Sequence, residues 1–334
     1  DMEVKRVTRE IGHSGIKATV IGLGTWAAGG DAAWGGRDDD MAVEAIKAAV
    51  DNGITLIDTA PAYGFGHSER LVGKAIKGRR SELILSTKCG LRWDTEEGSL
   101  LMERDGRKVM RNLSKKAVKK GAEESLQNLG TDYIDIFITH WQSVEPFKVP
   151  ISETMEALLE LKKEGKIRAI GISNATPEHV AEYLKCGQID LMQERYSMIT
   201  RDNVEKNLLP LCEKNGITLQ AYMPLEQGLL AGKITMESVL PAGDIRNKDS
   251  WYKPENRIKI INMLEGWKPL CEKYRCEISN LVIAWTIARS ERISVLCGGR
   301  KAYHVVENAK AGELSLERSD IEKMNSDIAN LTAV

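Results

Sequence analysis

Along the chain, short apolar runs alternate with stretches whose apolar residues recur every three or four positions. The runs TVIGLGTW, TLIDTA, ELILSTKCG, YIDIFITHW, IRAIGIS, IDLMQERY, TLQAYMPL and ISVLCGG show little strict in–out alternation. That pattern belongs to strands buried on both faces. Between them lie amphipathic segments with helix signals at their ends. In DDDMAVEAIKAAVDNG, Ile46, Ala49 and Val50 share one face and Asn52-Gly53 closes the helix. SKKAVKKGAEESLQNLG opens on Ser114, and TPEHVAEYLKCG on Thr176 with Pro177 at the first helical position.

Eight such strand–helix steps follow one another. Regular βα alternation implies a parallel sheet with right-handed crossovers. Eight units predict one closed (β/α)8 TIM barrel over residues 1–334, an architecture that typically takes about 250 residues before insertions. The surplus falls in the N-terminal segment, in loops near 91–113 and 226–254, and in a C-terminal helix over 315–328. The competing fold is a doubly wound sheet. GLGTWA (Gly22, Gly24, Ala27) matches G-x-G-x-x-A after a strand, but AAGGDAAWGG then follows, a poor helix for a pyrophosphate site.

Composition narrows the function. With 47 basic and 48 acidic residues the net charge is −1, which gives no basic excess for nucleic acid or an anionic membrane. No apolar run approaches the roughly 20 residues of a membrane span. DMEVKRVTREIG lacks the apolar core of a signal peptide, so a cytoplasmic protein is expected. The six cysteines and five histidines form no CxxC or HExxH spacing, and no metal is expected. Cys271 and Cys276 are close enough in sequence to bridge or to share a metal, although reduced cysteines are the ordinary state in a cytosolic chain.

In a barrel the active site forms at the C-terminal ends of the strands. Those ends carry Trp26, Asp58 with Tyr63 in the following turn, Lys88, and His140 with Trp141. Each has a plain structural explanation when taken alone. Together they suit reduction of a C=O group. A phenol near pKa 10 is a poor acid at neutral pH. An adjacent ammonium is expected to lower that value, a carboxylate to keep the ammonium charged, and an imidazole to orient the carbonyl oxygen.

The motifs GLGTW, LIDTAPAYGFGHSE, STKCG, YIDIFITHW, GISN, AYMPLEQGLLAGK and GGRKAYHVVENA, in this order from residue 6 to about 330, resemble the successive signatures of the aldo-keto reductase superfamily. The branch resembled is the bacterial one with general-stress and methylglyoxal-reducing members. The resemblance implies an NAD(P)H-dependent reductase of small aldehydes and ketones, including methylglyoxal-like and sugar-derived carbonyls. It implies Asp58, Tyr63, Lys88 and His140 as a catalytic tetrad with Tyr63 as general acid. It places Ser173, Asn174 and Gln193 at the carboxamide and Tyr222 against the nicotinamide ring. Thr25, Trp26 and Asp58 also fall at cofactor positions. Leu225, Gly228 and Lys233 correspond to a pyrophosphate clasp. Met223 departs from the serine common in relatives.

For the adenosine end the resemblance gives Gly299, Arg300, His304, Glu307 and Asn308. Arg300 and Lys301 beside a helix start favour NADP(H), with NAD(H) as the alternative, since His304 stands where relatives carry arginine or glutamine. Trp26, Tyr63, Trp93 and Trp141 are expected to line the substrate pocket. A monomer or small homo-oligomer is expected. The residues leave one rival function, a Schiff-base aldolase using Lys88; the resemblance implies another, a regulatory subunit that senses bound cofactor.

Overall fold

The computed structural model describes residues 6–29 and 38–334; most of the glycine-rich AAGGDAAWGG stretch lies outside the described residues. Eight parallel strands close into a barrel: β1 (Ile21–Gly24), β2 (Leu56–Asp58), β3 (Ile84–Cys89), β4 (Ile134–Thr139), β5 (Ile167–Ser173), β6 (Leu191–Arg195), β7 (Thr218–Tyr222) and β8 (Ile293–Gly298). Neighbours in space are neighbours in sequence, and β8 pairs back onto β1 through Val295↔Ile21 and Gly298↔Gly24.

The helix ends follow their caps. The Asp38 carboxylate accepts from Met41 N ahead of helix Asp39–Asp51, and Ser114 Oγ accepts from Ala117 N ahead of helix Lys115–Leu129. Gly130 stops the latter at φ 65°, a left-handed conformation that glycine adopts without penalty. At Thr176 the side chain accepts from His179 N while His179 Nδ1 accepts from Thr176 N, a reciprocal cap on helix Pro177–Cys186.

Outward-facing strand residues and the inner faces of the helices form the main core. Inside the barrel, Leu56, Ile136, Ala169 and Leu191 cluster with Ile11, Ile16 and Ala18 at the lower end. A Cβ on Gly22 would come within 2.4 Å of the Leu56 side chain, so β1 yields its interior space to its neighbours. The bottom is closed by an antiparallel hairpin, Thr8–Glu10 with Lys17–Thr19. Its Arg9 donates to the carbonyls of Ser290 and Ile293, both at 2.8 Å.

The region near 91–113 is ordered as a small three-stranded antiparallel sheet, Leu91–Arg92, Ser99–Arg104 and Arg107–Arg111, where only a loop was expected. The signal was present. Asp105-Gly106, with φ 49° and 74°, makes the two-residue turn that an Asp-Gly pair favours in hairpins. After the last barrel helix, Arg318–Ala329 packs back across the barrel's side, where Trp285 donates to Asn325 and Trp267 to Asp327, each at 2.8 Å.

Candidate active site

Asp58 ends β2, and Lys88 lies one strand over on β3 with no exposed surface. The Lys88 ammonium donates to Asp58 Oδ2 at 2.7 Å and to the Thr59 carbonyl at 2.8 Å. The other carboxylate oxygen accepts from Ser86 Oγ at 2.6 Å and from Gln193 Nε2 at 3.1 Å. Both oxygens of the buried carboxylate thus accept hydrogen bonds, three in all, the condition under which a buried charge pair is tolerated.

Tyr63 reaches this pair because of the turn that follows it. Gly64, Phe65 and Gly66 have φ of 68°, 53° and 88°, and the chain closes through Ser68 N to Tyr63 O at 3.1 Å. Two of those three left-handed positions are glycine, which explains the YGFG spelling. The Lys88 Nζ lies 5.1 Å from the centre of the Tyr63 ring, and the His140 ring meets it edge-on with centroids 5.9 Å apart. Four side chains, from β2, β3, the residue after β4 and one turn, therefore converge at one point of the rim.

Burial pushes the Tyr63 phenol above its ordinary value, and the Lys88 ammonium pulls against that shift without reversing it. The expected lowering is therefore corrected: loss of water around the ring outweighs the nearby cation. Burial alone would lower the Lys88 ammonium, but Asp58 and Tyr63 more than offset it and hold it above the usual range. Burial, with Lys88 and Arg104 as like charges, keeps His140 well below its ordinary value and hence neutral. The arrangement is a protonated phenol, a fixed cation behind it and a neutral imidazole beside it.

A cleft of about 840 Å³ begins at these groups and runs across the barrel mouth. Tyr63, His140, Trp26 and Trp141 line its deep end, along with Ser173, Asn174, Gln193 and Tyr222. Its far wall includes Leu225, Gly228, Lys233, Gly299, Arg300, His304, Glu307 and Asn308; Thr25 and Met223 border it as well. Lys88 lies behind this surface. Trp93 does not reach the cleft: its ring packs on Phe65 with centroids 5.0 Å apart, because the strand Leu91–Arg92 turns it toward the small sheet. Leu101, Met102, Arg104 and Val109 of that sheet do line the cleft, and sequence reasoning missed them with the hairpin.

The polar positions are held in place by one another. Asn174, in the left-handed region at φ 53°, donates to the His140 carbonyl at 2.9 Å and accepts from the Tyr222 hydroxyl at 2.7 Å. Gln193 bonds Gln220 at 2.8 Å, and Ser173 Oγ donates to the Gln193 carbonyl at 2.8 Å. Beneath them the buried Glu194 accepts from Ala175 N at 2.8 Å, and burial raises its carboxyl to about 7.

A profile of the aldo/keto reductase family matches residues 20–328. The chain belongs to the aldo/keto reductase family. It is 46% identical over 316 residues to the NADH-specific methylglyoxal reductase of Escherichia coli, covering 94% of this chain and 96% of that one. An aldo-keto reductase of Bacillus subtilis is 37% identical, covering 96% and 93%. Among solved structures, the glycerol dehydrogenase of Gluconobacter oxydans superposes with a TM-score of 0.85 at 33% identity, covering 96% and 94%. An aldo/keto reductase from Klebsiella pneumoniae in complex with NADP and acetate gives 0.71 at 26% identity, covering 96% and 95%.

This aldo/keto reductase is an oxidoreductase that acts on carbonyl groups. The likenesses give the Schiff-base aldolase no support, and the charged, Asp58-paired Lys88 is the wrong protonation state for a nucleophile. Among the described residues no helix is long and apolar enough to cross a membrane, and no group of three or more ligating side chains could hold a metal ion.

Proposed function

We propose that the protein reduces small aldehydes and 2-oxoaldehydes with a nicotinamide cofactor, using Tyr63 as the proton donor. The observation that carries this reading is the convergence of the Tyr63 phenol, the Asp58-bound Lys88 ammonium and the neutral His140 at the closed end of one long cleft. The 46% identity to a methylglyoxal reductase supports the substrate class.

The cleft suits a dinucleotide in its chemistry as well as its length. Gly228 has φ 102° with no atom within 4 Å of where a Cβ would stand, which leaves room for a phosphate to approach the backbone there. Gln227 and Glu226 also have positive φ, held by Tyr252 Oη donating to both carbonyls at 3.0 Å and by Arg195 and Ser197 on the buried Glu226. This stiff segment, the start of the 226–254 stretch, would cover the pyrophosphate. Gln193, Ser173 and Asn174 would hold the carboxamide, the Tyr222 ring would stack on the nicotinamide, and Thr25 and Trp26 would flank it. Arg300, His304, Glu307 and Asn308 would take the adenosine end.

When bound, the nicotinamide supplies a hydride to the carbonyl carbon. His140 donates a hydrogen bond to the carbonyl oxygen and fixes it near the phenol. Tyr63, kept protonated by burial, gives its proton to that oxygen as negative charge builds there. Lys88 stabilises the phenolate left behind, and Asp58 keeps Lys88 charged and in place. Trp26, Trp141 and the hairpin residues Leu101 and Val109 exclude water around the reacting atoms.

Tyr63→Phe tests this assignment. It should lower kcat by about 10²–10⁴ while leaving cofactor affinity and Tm unchanged. Turnover of methylglyoxal near the parent rate would overturn the role of Tyr63. The cations at Arg300 and Lys301 favour NADPH, although a similar reductase is NADH-specific. Arg300→Ala should raise KM for NADPH roughly tenfold more than KM for NADH. An equal effect on both removes Arg300 from the 2′-phosphate.

A further inference from the structure

Cys271 and Cys276 are half-buried, lie outside the cleft and take no part in the chemistry above. Helix Lys268–Tyr274 ends at Arg275, which is left-handed at φ 50°. Beyond it the Cys276 amide donates to the Cys271 carbonyl at 3.0 Å, and the Arg275 amide donates to the Glu272 carbonyl at 3.2 Å. This pair of bonds defines a helix ending that brings together the side chains of the residues joined by the longer bond. Those side chains are usually apolar. Here both are thiols. The neighbouring Cys276 thiol pulls the Cys271 thiol below its ordinary value. Cys89, Cys212 and Cys297 are buried elsewhere.

The pair sits at a junction. Glu277, the next residue, lines the cleft and starts helix Ile278–Ile287. Its amide donates to Asn280 Oδ1 at 3.0 Å, and Asn280 Nδ2 donates to the Glu307 carbonyl at 2.7 Å, at the adenosine end of the cleft. Ile278 packs on Gly232, where an added Cβ would lie 3.1 Å from it, and Gly232 adjoins the cleft residue Lys233. Residues 277 and 278 are thus bonded or packed against both walls of the far cleft.

We propose that Cys271 and Cys276 are a redox-responsive dithiol whose disulfide, formed by a peroxide, weakens binding of the nicotinamide cofactor. The coupling to binding rests on the cofactor reading above; formation of the bond does not. The Cys271 thiolate attacks one peroxide oxygen, the O–O bond breaks, and hydroxide leaves with the two electrons taken from sulfur. The Cys276 sulfur then attacks the resulting sulfenic acid. The S–O bond breaks, the Cys276 proton goes to the departing oxygen, and water leaves. Closing the two sulfurs to an S–S bond of about 2.05 Å draws residue 276 toward the helix end and tugs on Glu277.

Purified full-length protein, reduced and then treated with hydrogen peroxide, provides the test. The expected result is loss of two hydrogens by intact mass, a linked Cys271–Cys276 peptide, and reversal by dithiothreitol. Titration of protein fluorescence should show NADH and NADPH bound at least about fivefold more weakly by the oxidised form. Cys276→Ser should bind cofactor as the reduced parent does and lose this response. Oxidation of the two sulfurs without a link, a link that leaves affinity unchanged, or a Cys276→Ser protein that still weakens under peroxide would each overturn the proposal. If the reduced parent binds neither cofactor, the cleft reading and the coupling fall together, and the mass result judges the disulfide separately.

Discussion

The lower half of the barrel and its mouth are built from the same strands but hold opposite kinds of side chain. On β2 the inward positions are Leu56 below and Asp58 above; on β6 they are Leu191 below and Gln193 above. The lower layer is apolar and capped by the N-terminal hairpin. The upper layer is a chain of donors and acceptors, from Lys88 through Asp58, Gln193 and Gln220 to Ser294, in which each group is placed by its neighbour. Two residues along a strand separate packing that sets stability from packing that sets chemistry. Changes at the two levels should therefore fail in different ways.

The largest contrast should come from Lys88→Met against Leu56→Ala. Removing the ammonium should cut turnover about 10³-fold, since the phenolate loses its partner at the transition state. Removing the Leu56 side chain, which is fully buried, should cost about 2–5 kcal/mol of stability yet leave kcat of the folded fraction nearly unchanged. Urea melts and steady-state rates on both variants separate the two. A Leu56→Ala protein with normal stability and poor turnover would erase the distinction.

A smaller effect belongs to pH. Since Tyr63 is held above its ordinary value, reduction should stay level through neutrality and decline only on the alkaline side, as the phenol loses its proton. His140, held well below its ordinary value, should give no break between pH 6 and 7. A profile of kcat/KM against pH with a step there would show the imidazole titrating.

The smallest effect should come from Glu194, just under the mouth. Its carboxyl, raised to about 7, takes up a proton in the folded state between its ordinary value and neutrality. Folded protein then binds more protons than unfolded, so this group's stabilising contribution falls as pH rises through that window, by at most about 1.4 kcal/mol per unit. Glu194→Gln should flatten that part of the stability curve, read by denaturant midpoints from pH 4.5 to 7.5. An unchanged slope would assign the dependence to other groups.

How much of this was legible in the sequence follows the same division. The strand count, the barrel and the strand-end residues Asp58, Lys88 and His140 could be read because βα spacing fixes which residues reach the rim. The polar supports Ser86 and Gln220 could not, since an inward serine or glutamine looks like any other strand residue until its register is known. The direction of Trp93 could not be read because it depends on the small antiparallel sheet, and that sheet was passed over despite the Asp-Gly turn. The direction of the Tyr63 shift was misjudged for another reason: sequence names the charged neighbour but not the depth of burial.

The seam where β8 meets β1 has a consequence for how the molecule is made. Ser294 bonds the carbonyl of Val20 across 274 residues of chain, so the cylinder cannot shut while the ribosome still holds its final quarter. Until then the first strand presents an unpaired edge to the cell. A nascent chain arrested before β8 should be the form that chaperones hold and proteases cut.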